Sequence, residues 1–211
     1  AREQFLTVIL APDTAFDESR EADGRRERSR SSRARIVSAM LELVGNGDVS
    51  PSAARVAEVA GVGLRSVFRH FDDMDALYRE MCDAIEAKVI PIIMEVPIGD
   101  TWKDRLLHTA DKRARVFEAI LPYRISANLK RFQSEFLMQD YKRMLRLESE
   151  SLDAQLPPSV RDDTLGARAI NVILSFQTWR LLRHDQELPV ADACAVVRRL
   201  LEDTMSRLPD R

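Results

Sequence analysis

Arg65, Ser66, Arg69 and His70 all fall within the stretch Leu64–Phe71, LRSVFRHF. A guanidinium can pair bidentately with a guanine edge or clasp a phosphate, and a hydroxyl can serve either target. At helical spacing Leu64, Val67, Phe68 and Phe71 follow i, i+3, i+4, i+7 and predict a buried stripe. Arg65, Ser66, Arg69 and His70 then lie largely off that stripe. A short rod of this kind suits insertion into a DNA major groove. Leu64 either touches a thymine methyl or packs against its neighbours. His70 either meets a phosphate or is a neutral ring packed at the helix end.

The elements that must position this rod surround it. In Val49–Phe71, VSPSAARVAEVAGVGLRSVFRHF, Ser50 is expected to cap a first helix with Pro51 at its first position. Val56, Val59 and Ala60 make its apolar stripe. Gly61 is expected to end it in the left-handed conformation, and Gly63 to open the second helix without a side-chain acceptor. Ahead of this pair, Ile36, Ala39, Met40, Leu43 and Val44 mark another helix, stopped at Gly45-Asn46-Gly47 and capped by Ser31 or Ser32. Six arginines stand between Arg25 and Arg35. They form either a solvated lead-in or an arm that meets phosphates or an adjacent minor groove. Arg28 and Arg33 represent that arm among the candidate DNA contacts, and Ser52 of the first helix and Phe68 of the second join them. Helix-turn-helix pairs also occur in proteins that never touch DNA. A helical protein-interaction module without DNA binding is therefore the alternative.

The chain has 211 residues and a formal net charge of −2. That charge is divided unevenly: residues 1–23 carry −4, residues 24–71 carry +5 and residues 72–211 carry −3. Affinity for a polyanion follows the local density of cations more than the total. The composition is ordinary for a soluble protein, and no apolar run reaches the ~20 residues that span a bilayer. The β-prone run Phe5–Leu10 is too short for a signal-peptide core and is expected to be a docked arm, an added strand or an ordered tail. Residues 11–23 read as a linker. Cys82 and Cys194 are expected to be buried free thiols of a cytoplasmic protein rather than a disulfide.

After Phe71, Asp72-Asp73 supplies a cap for a helix through Ala76, Leu77, Met81 and Ile85, which meets Pro91. This helix would link the N-terminal unit to the rest. Pro91, Pro97 and Gly99 make a break. A helix from Trp102 is expected to end at Pro122, followed by a short one over 123–129 and a long one carrying Phe136, Tyr141, Met144 and Leu147. The last two segments, Leu165–Leu182 and Val190–Leu208, are the most apolar. The arc of the first is too wide to be satisfied on one side, which predicts a four-helix interface with a symmetry mate. No alternating strand pattern occurs, so the expected class is all-α: an N-terminal three-helix unit (25–72) after an extension (1–24), and a larger helical body (73–211).

The residues now in hand resemble the TetR family of bacterial transcriptional regulators. The resemblance is carried by Arg33–Leu77, above all by Val56-Ala57, Ala60-Gly61-Val62, Ser66-Val67-Phe68-Arg69-His70-Phe71 and Ala76-Leu77. Three positions depart from the family pattern. Gly63 stands where the family has Ser, Phe68 where it has Tyr, and Met74 where it often has Lys, so a cap and two phosphate contacts are missing. The resemblance implies a homodimer that binds a palindromic double-stranded operator, usually as a repressor. It also implies a small-molecule effector in the C-terminal domain, which moves the DNA-reading units apart.

Trp102, His108, Phe117, Tyr123, Phe132, Phe136 and Trp179 could line a ligand cavity, with His108 and Arg113 supplying polar contacts. Such a lining points to an apolar or aromatic ligand. No Cys/His spacing matches a metal site, and no nucleophile–base motif, P-loop or dinucleotide fingerprint occurs. The expectation is therefore a non-enzyme without cofactor or metal.

Overall fold

The computed structural model describes residues 14–210, with side chains from residue 26 onward. The run Phe5–Leu10 and the side chain of Arg25 lie outside the described residues. Ten α-helices occur among the described residues, and no strand. They are α1 (Thr14–Gly45), α2 (Ala53–Ala60), α3 (Leu64–His70), α4 (Met74–Ile93) and α5 (Trp102–Lys130). Then follow α6 (Glu135–Asp153), α7 (Pro158–Asp162), α8 (Thr164–Ile173), α9 (Phe176–Arg180) and α10 (Val190–Met205). A single π-helical turn, Leu181–Asp185, joins α9 to the last connection.

Several boundaries differ from the sequence reading. The linker expected over 11–23 is helical from Thr14, and α1 runs through residues 24 and 25 without a break. Ser31 and Ser32 therefore lie inside a helix and cap nothing. Ser52, not Ser50, caps α2: its Oγ accepts from the Arg55 N–H at 3.2 Å. Pro51 precedes that cap, while the Ser50 N–H donates to Asp48 Oδ1. Pro122 does not end α5. Its missing hydrogen bond is outweighed by packing on both sides, with Val116, Phe117, Ile120 and Ser126 all buried. The segment 165–182 is not one helix. It breaks at Leu174, where Ser175 takes extended backbone and accepts from the Thr178 N–H to start α9.

Two apolar cores result. One gathers Ile36, Met40 and Val44 of α1, Val56 of α2, Val67 of α3 and Leu77 of α4. The other fills the body, with Leu106, Phe117, Ile170, Phe176, Trp179 and Leu201. Helix α4 belongs to both: Leu77, Tyr78 and Met81 close the first, Ile85 and Val89 the second. A buried polar chain ties the cores together, with Tyr78 Oη against Ser126 Oγ at 3.2 Å and that hydroxyl donating to the Val49 carbonyl at 2.8 Å. Where α1 ends against α5, Gly45 is needed for clearance, since a Cβ there would stand 2.9 Å from the Tyr123 hydroxyl.

Candidate functional site

The helix-turn-helix is built from small residues behind and cations in front. Val56, Ala57 and Ala60 bury one side of α2. Gly61 takes φ +63° and its N–H, with that of Val62, closes the end of the helix on Glu58 and Ala57 carbonyls. Gly63 opens α3 with no side-chain cap, as its lack of a hydroxyl requires. Asp73 caps α4 by accepting from the Ala76 N–H at 2.8 Å.

The expected α3 stripe is only half buried. Val67 and Phe71 enter the core, but Leu64 is 45% and Phe68 50% exposed. Seven residues make two turns, and two turns leave room for one buried side chain with Phe71 just beyond. Leu64 is thus covered on one side and open on the other. Arg65 and Arg69 are exposed and Ser66 is half-buried. Arg65 has no hydrogen bond or ion pair among the described residues, and Arg69 reaches only Ser66 Oγ at 3.4 Å. Ser52, already the cap of α2, keeps an exposed side chain, and Arg28 is exposed on α1.

Arg33 differs from the phosphate contact expected of it. Its Nη1 donates to the His70 carbonyl at 2.6 Å, its Nη2 pairs with Glu80 at 2.5 Å, and its guanidinium lies 4.3 Å over the Phe71 ring. The group clasps the C-terminal end of α3 to α1 and α4. His70 itself is half-buried, with Nε2 enclosed and without a partner. Burial first, then the Arg69 and Arg33 charges, pushes its pKa below the ordinary histidine value. The neutral, packed ring is the alternative that this geometry favours.

A second feature lies between α4, α5 and α6: a cavity of about 380 Å³. Ile85, Val89, Val116, Phe117, Ile120 and Met144 form apolar wall. Arg113, Arg124 and Glu148 add charge. The outer face of α8 is uncovered, with Leu165 83% and Val172 64% exposed on either side of an exposed Arg168.

No protein-family model matches the chain, and no curated protein matches it by sequence. Solved structures do match. A transcriptional regulator from Rhodococcus sp. Rha1 superposes with a TM-score of 0.64 at 15% identity, over 83% of this chain and 97% of its own. A second chain, from Rhodococcus sp. and assigned to the TetR family of transcriptional regulators, gives a TM-score of 0.55 at 18% identity, over 82% and 98%. The chain has a TetR-type fold. The likeness read from Arg33–Leu77 thus extends, as architecture, over most of the molecule.

Within this fold the expected cavity residues separate. Phe117 and Tyr123 line the cavity. The other five do not. Trp102 is buried in the body core. Trp179 is buried too, donating from Nε1 to Glu118 Oε1 at 2.8 Å. Phe136 lies beneath the Arg79 guanidinium and Phe132 is exposed beneath that of Arg131. His108 accepts through Nδ1 from the Ile98 N–H at 3.4 Å. The large aromatic side chains that leave the cavity close the core or stack against cations instead. Arg124 and Glu148 were missed. The signal was present: Arg113 and Arg124 stand eleven residues apart, three turns, on the same face as apolar Ile120 and Phe117. Among the described residues no helix is long and apolar enough to cross a membrane. Neither cysteine is in a disulfide, and burial pushes the Cys82 thiol up to about 12.

Proposed function

We propose that the chain is a transcriptional regulator of the cytoplasm, a repressor that binds a palindromic operator as a homodimer and is released by a small ligand. One observation carries this reading: α3 holds Leu64, Arg65, Phe68 and Arg69 outward while Arg33 clasps it from behind. Arg65 takes a guanine edge, Ser66 and Arg69 take bases or phosphates, and Leu64 and Phe68 meet thymine methyls or sugar. Ser52 and Arg28 contact the flanking backbone. Residues 25–72 form the DNA-reading unit and residues 73–211 the ligand-binding and dimerisation body. The outer face of α8, with the exposed part of α10, meets its mate around a two-fold axis. That pairing sets the two α3 helices about one DNA turn, roughly 34–36 Å, apart.

The effector occupies the α4–α5–α6 cavity. Ile85 and Val89 of α4 both line that cavity and pack in the body core, while Leu77 and Met81 of the same helix pack under the DNA-reading unit. A ligand that fits one position of α4 better than another shifts the spacing of the two α3 helices, and shifts it no further than that preference allows. Fluorescence anisotropy with operator DNA tests the proposal, with an affinity expected to fall steeply with salt as phosphates release counterions. The half-exposed Leu64 and Phe68 also suit a protein partner, as in a helical interaction module. Salt-insensitive behaviour with no preference among DNA sequences would favour that second reading.

A further inference from the structure

The cavity lining includes two guanidinium groups and one carboxylate that meet one another. Arg124 Nη1 donates to Glu148 Oε1 at 2.6 Å. Arg113 Nη2 donates to the Glu148 carbonyl at 2.5 Å and its Nη1 to the Leu174 carbonyl at 2.7 Å. All three side chains are enclosed: Arg113 is 8% exposed, and the side chains of Arg124 and Glu148 are 11% and 14% exposed. Arg124 Nη2 is buried with no acceptor, and the guanidinium lies 4.6 Å over the Phe176 ring. Buried charges in proteins are normally paired, because leaving water without a counter-charge is costly. Here one positive charge is left over.

Over the whole lining the balance stays positive. Arg143 stands between two carboxylates, Glu86 at 2.7 Å and Asp140 at 2.8 Å, a separate cluster with one negative charge in excess. Lys112 donates to the carbonyls of Ile93 and Glu95 at 3.3 and 2.8 Å. The cavity wall thus holds four cations, Lys112, Arg113, Arg124 and Arg143, against three anions, Glu86, Asp140 and Glu148. Burial, with the Arg124 charge adding to it and Glu148 opposing, pushes Arg113 down to about 10. A guanidinium in that state favours any arrangement that brings it a further negative charge.

We propose that the cavity takes a small monocarboxylate with an apolar body. The carboxylate seats at the Arg124 guanidinium, where the Arg113 charge adds to the attraction, and the body lies against Ile85, Val89, Val116 and Phe117. This rests on the reading of the cavity as the effector site and names the chemical class it accepts. A neutral ligand leaves the surplus charge in place, and a cation adds to it.

Calorimetric titration of the full chain with decanoate and with decanol, both below micellar concentration, tests this. The two probes share an apolar body and differ in the charged head. Decanoate is expected to bind at least tenfold tighter than decanol. In Arg124→Met that preference is expected to vanish while decanol affinity is unchanged, with a thermal melt confirming that the variant folds. Equal affinities in the parent protein overturn the monocarboxylate assignment, need no variant, and leave the effector site standing. A preference that survives in Arg124→Met overturns the assigned seat. Tight, Arg124-dependent decanoate binding that leaves operator affinity unchanged supports the anion site and overturns the release mechanism.

Discussion

The arginines of the helix-turn-helix and those of the body stand in opposite situations. On α3, Arg65 has no partner among the described residues and Arg69 touches only a hydroxyl of its own helix. In the body, Arg183 donates to both oxygens of Glu118 and to the Leu188 carbonyl, Arg143 holds Glu86 and Asp140, and Arg113 holds two carbonyls. The difference separates two uses of one side chain. A guanidinium with its donors unspent is available to a polyanion, whereas one with its donors spent fixes neighbouring elements. Arg33 shows that position alone does not decide the use. It lies in the cationic segment, yet it holds the end of α3 and Glu80 of α4.

The comparison assumes that two copies of α3 meet DNA together, so its largest test is the mate. Leu165→Asp with Val172→Asp places charges on the exposed face of α8 and is expected to yield a monomer in sedimentation. Operator affinity should then fall by about 100-fold or more, as linked half-sites become separate binding events. A dimer that survives both substitutions places the interface elsewhere.

The next test sets a free arginine against a tied one. Arg65→Ala should cost ~1–3 kcal/mol of operator affinity and relax specificity at one base pair. Its melting temperature should stay close to the parent's, because nothing in the fold leans on that side chain. Arg183→Ala should do the reverse. It strips Glu118 of two hydrogen bonds in a half-buried setting, which costs ~1–3 kcal/mol of stability by denaturant unfolding. Operator affinity per folded dimer should be unchanged. If both variants lose stability and DNA binding together, the division of roles fails.

Arg33→Ala should give a smaller and mixed effect. The pair with Glu80 is well exposed, so stability should fall by only ~1 kcal/mol. Operator affinity should drop with an unchanged salt slope, since no phosphate contact is lost. Arg28→Ala should instead flatten the slope by about one ion. The smallest effect concerns His70. Its pKa is lowered in the folded protein, so below the ordinary histidine value the unfolded chain binds the proton and the native state resists it. Stability should decline as pH falls from 7 to 5.5, and His70→Gln should decline less.

Much of the helix-turn-helix unit was legible because it is specified locally. Gly61 marks a left-handed turn, Asp73 marks a cap, and the spacing of Ile36, Met40, Val44, Val56 and Val67 marks a core that the fold confirms. The body was legible only as helices. Pro122 suggested an end that long-range packing overrides, and Ser175 starts a new helix inside a run that reads as continuous. The half-burial of the α3 stripe follows from its length of two turns, which periodicity does not report. The cavity was the least legible part. Its place depends on how three helices lean together, and Arg113 and Arg124 in its lining lie on one face of α5 that reads as core. Of the aromatic residues expected in its lining, Phe117 and Tyr123 are there, while Trp179 is spent on Glu118 and Phe136 on Arg79.

The central claim is that α3 reads DNA twice through a symmetric pair. Selection of bound sequences from a random duplex pool, run in parallel with the parent and with Arg65→Ala, tests it most directly. The account predicts inverted half-sites centred about one helical turn apart, with one base position losing its preference in the variant. A pool that shows no inverted repeat, or the same preferences with and without Arg65, would contradict it.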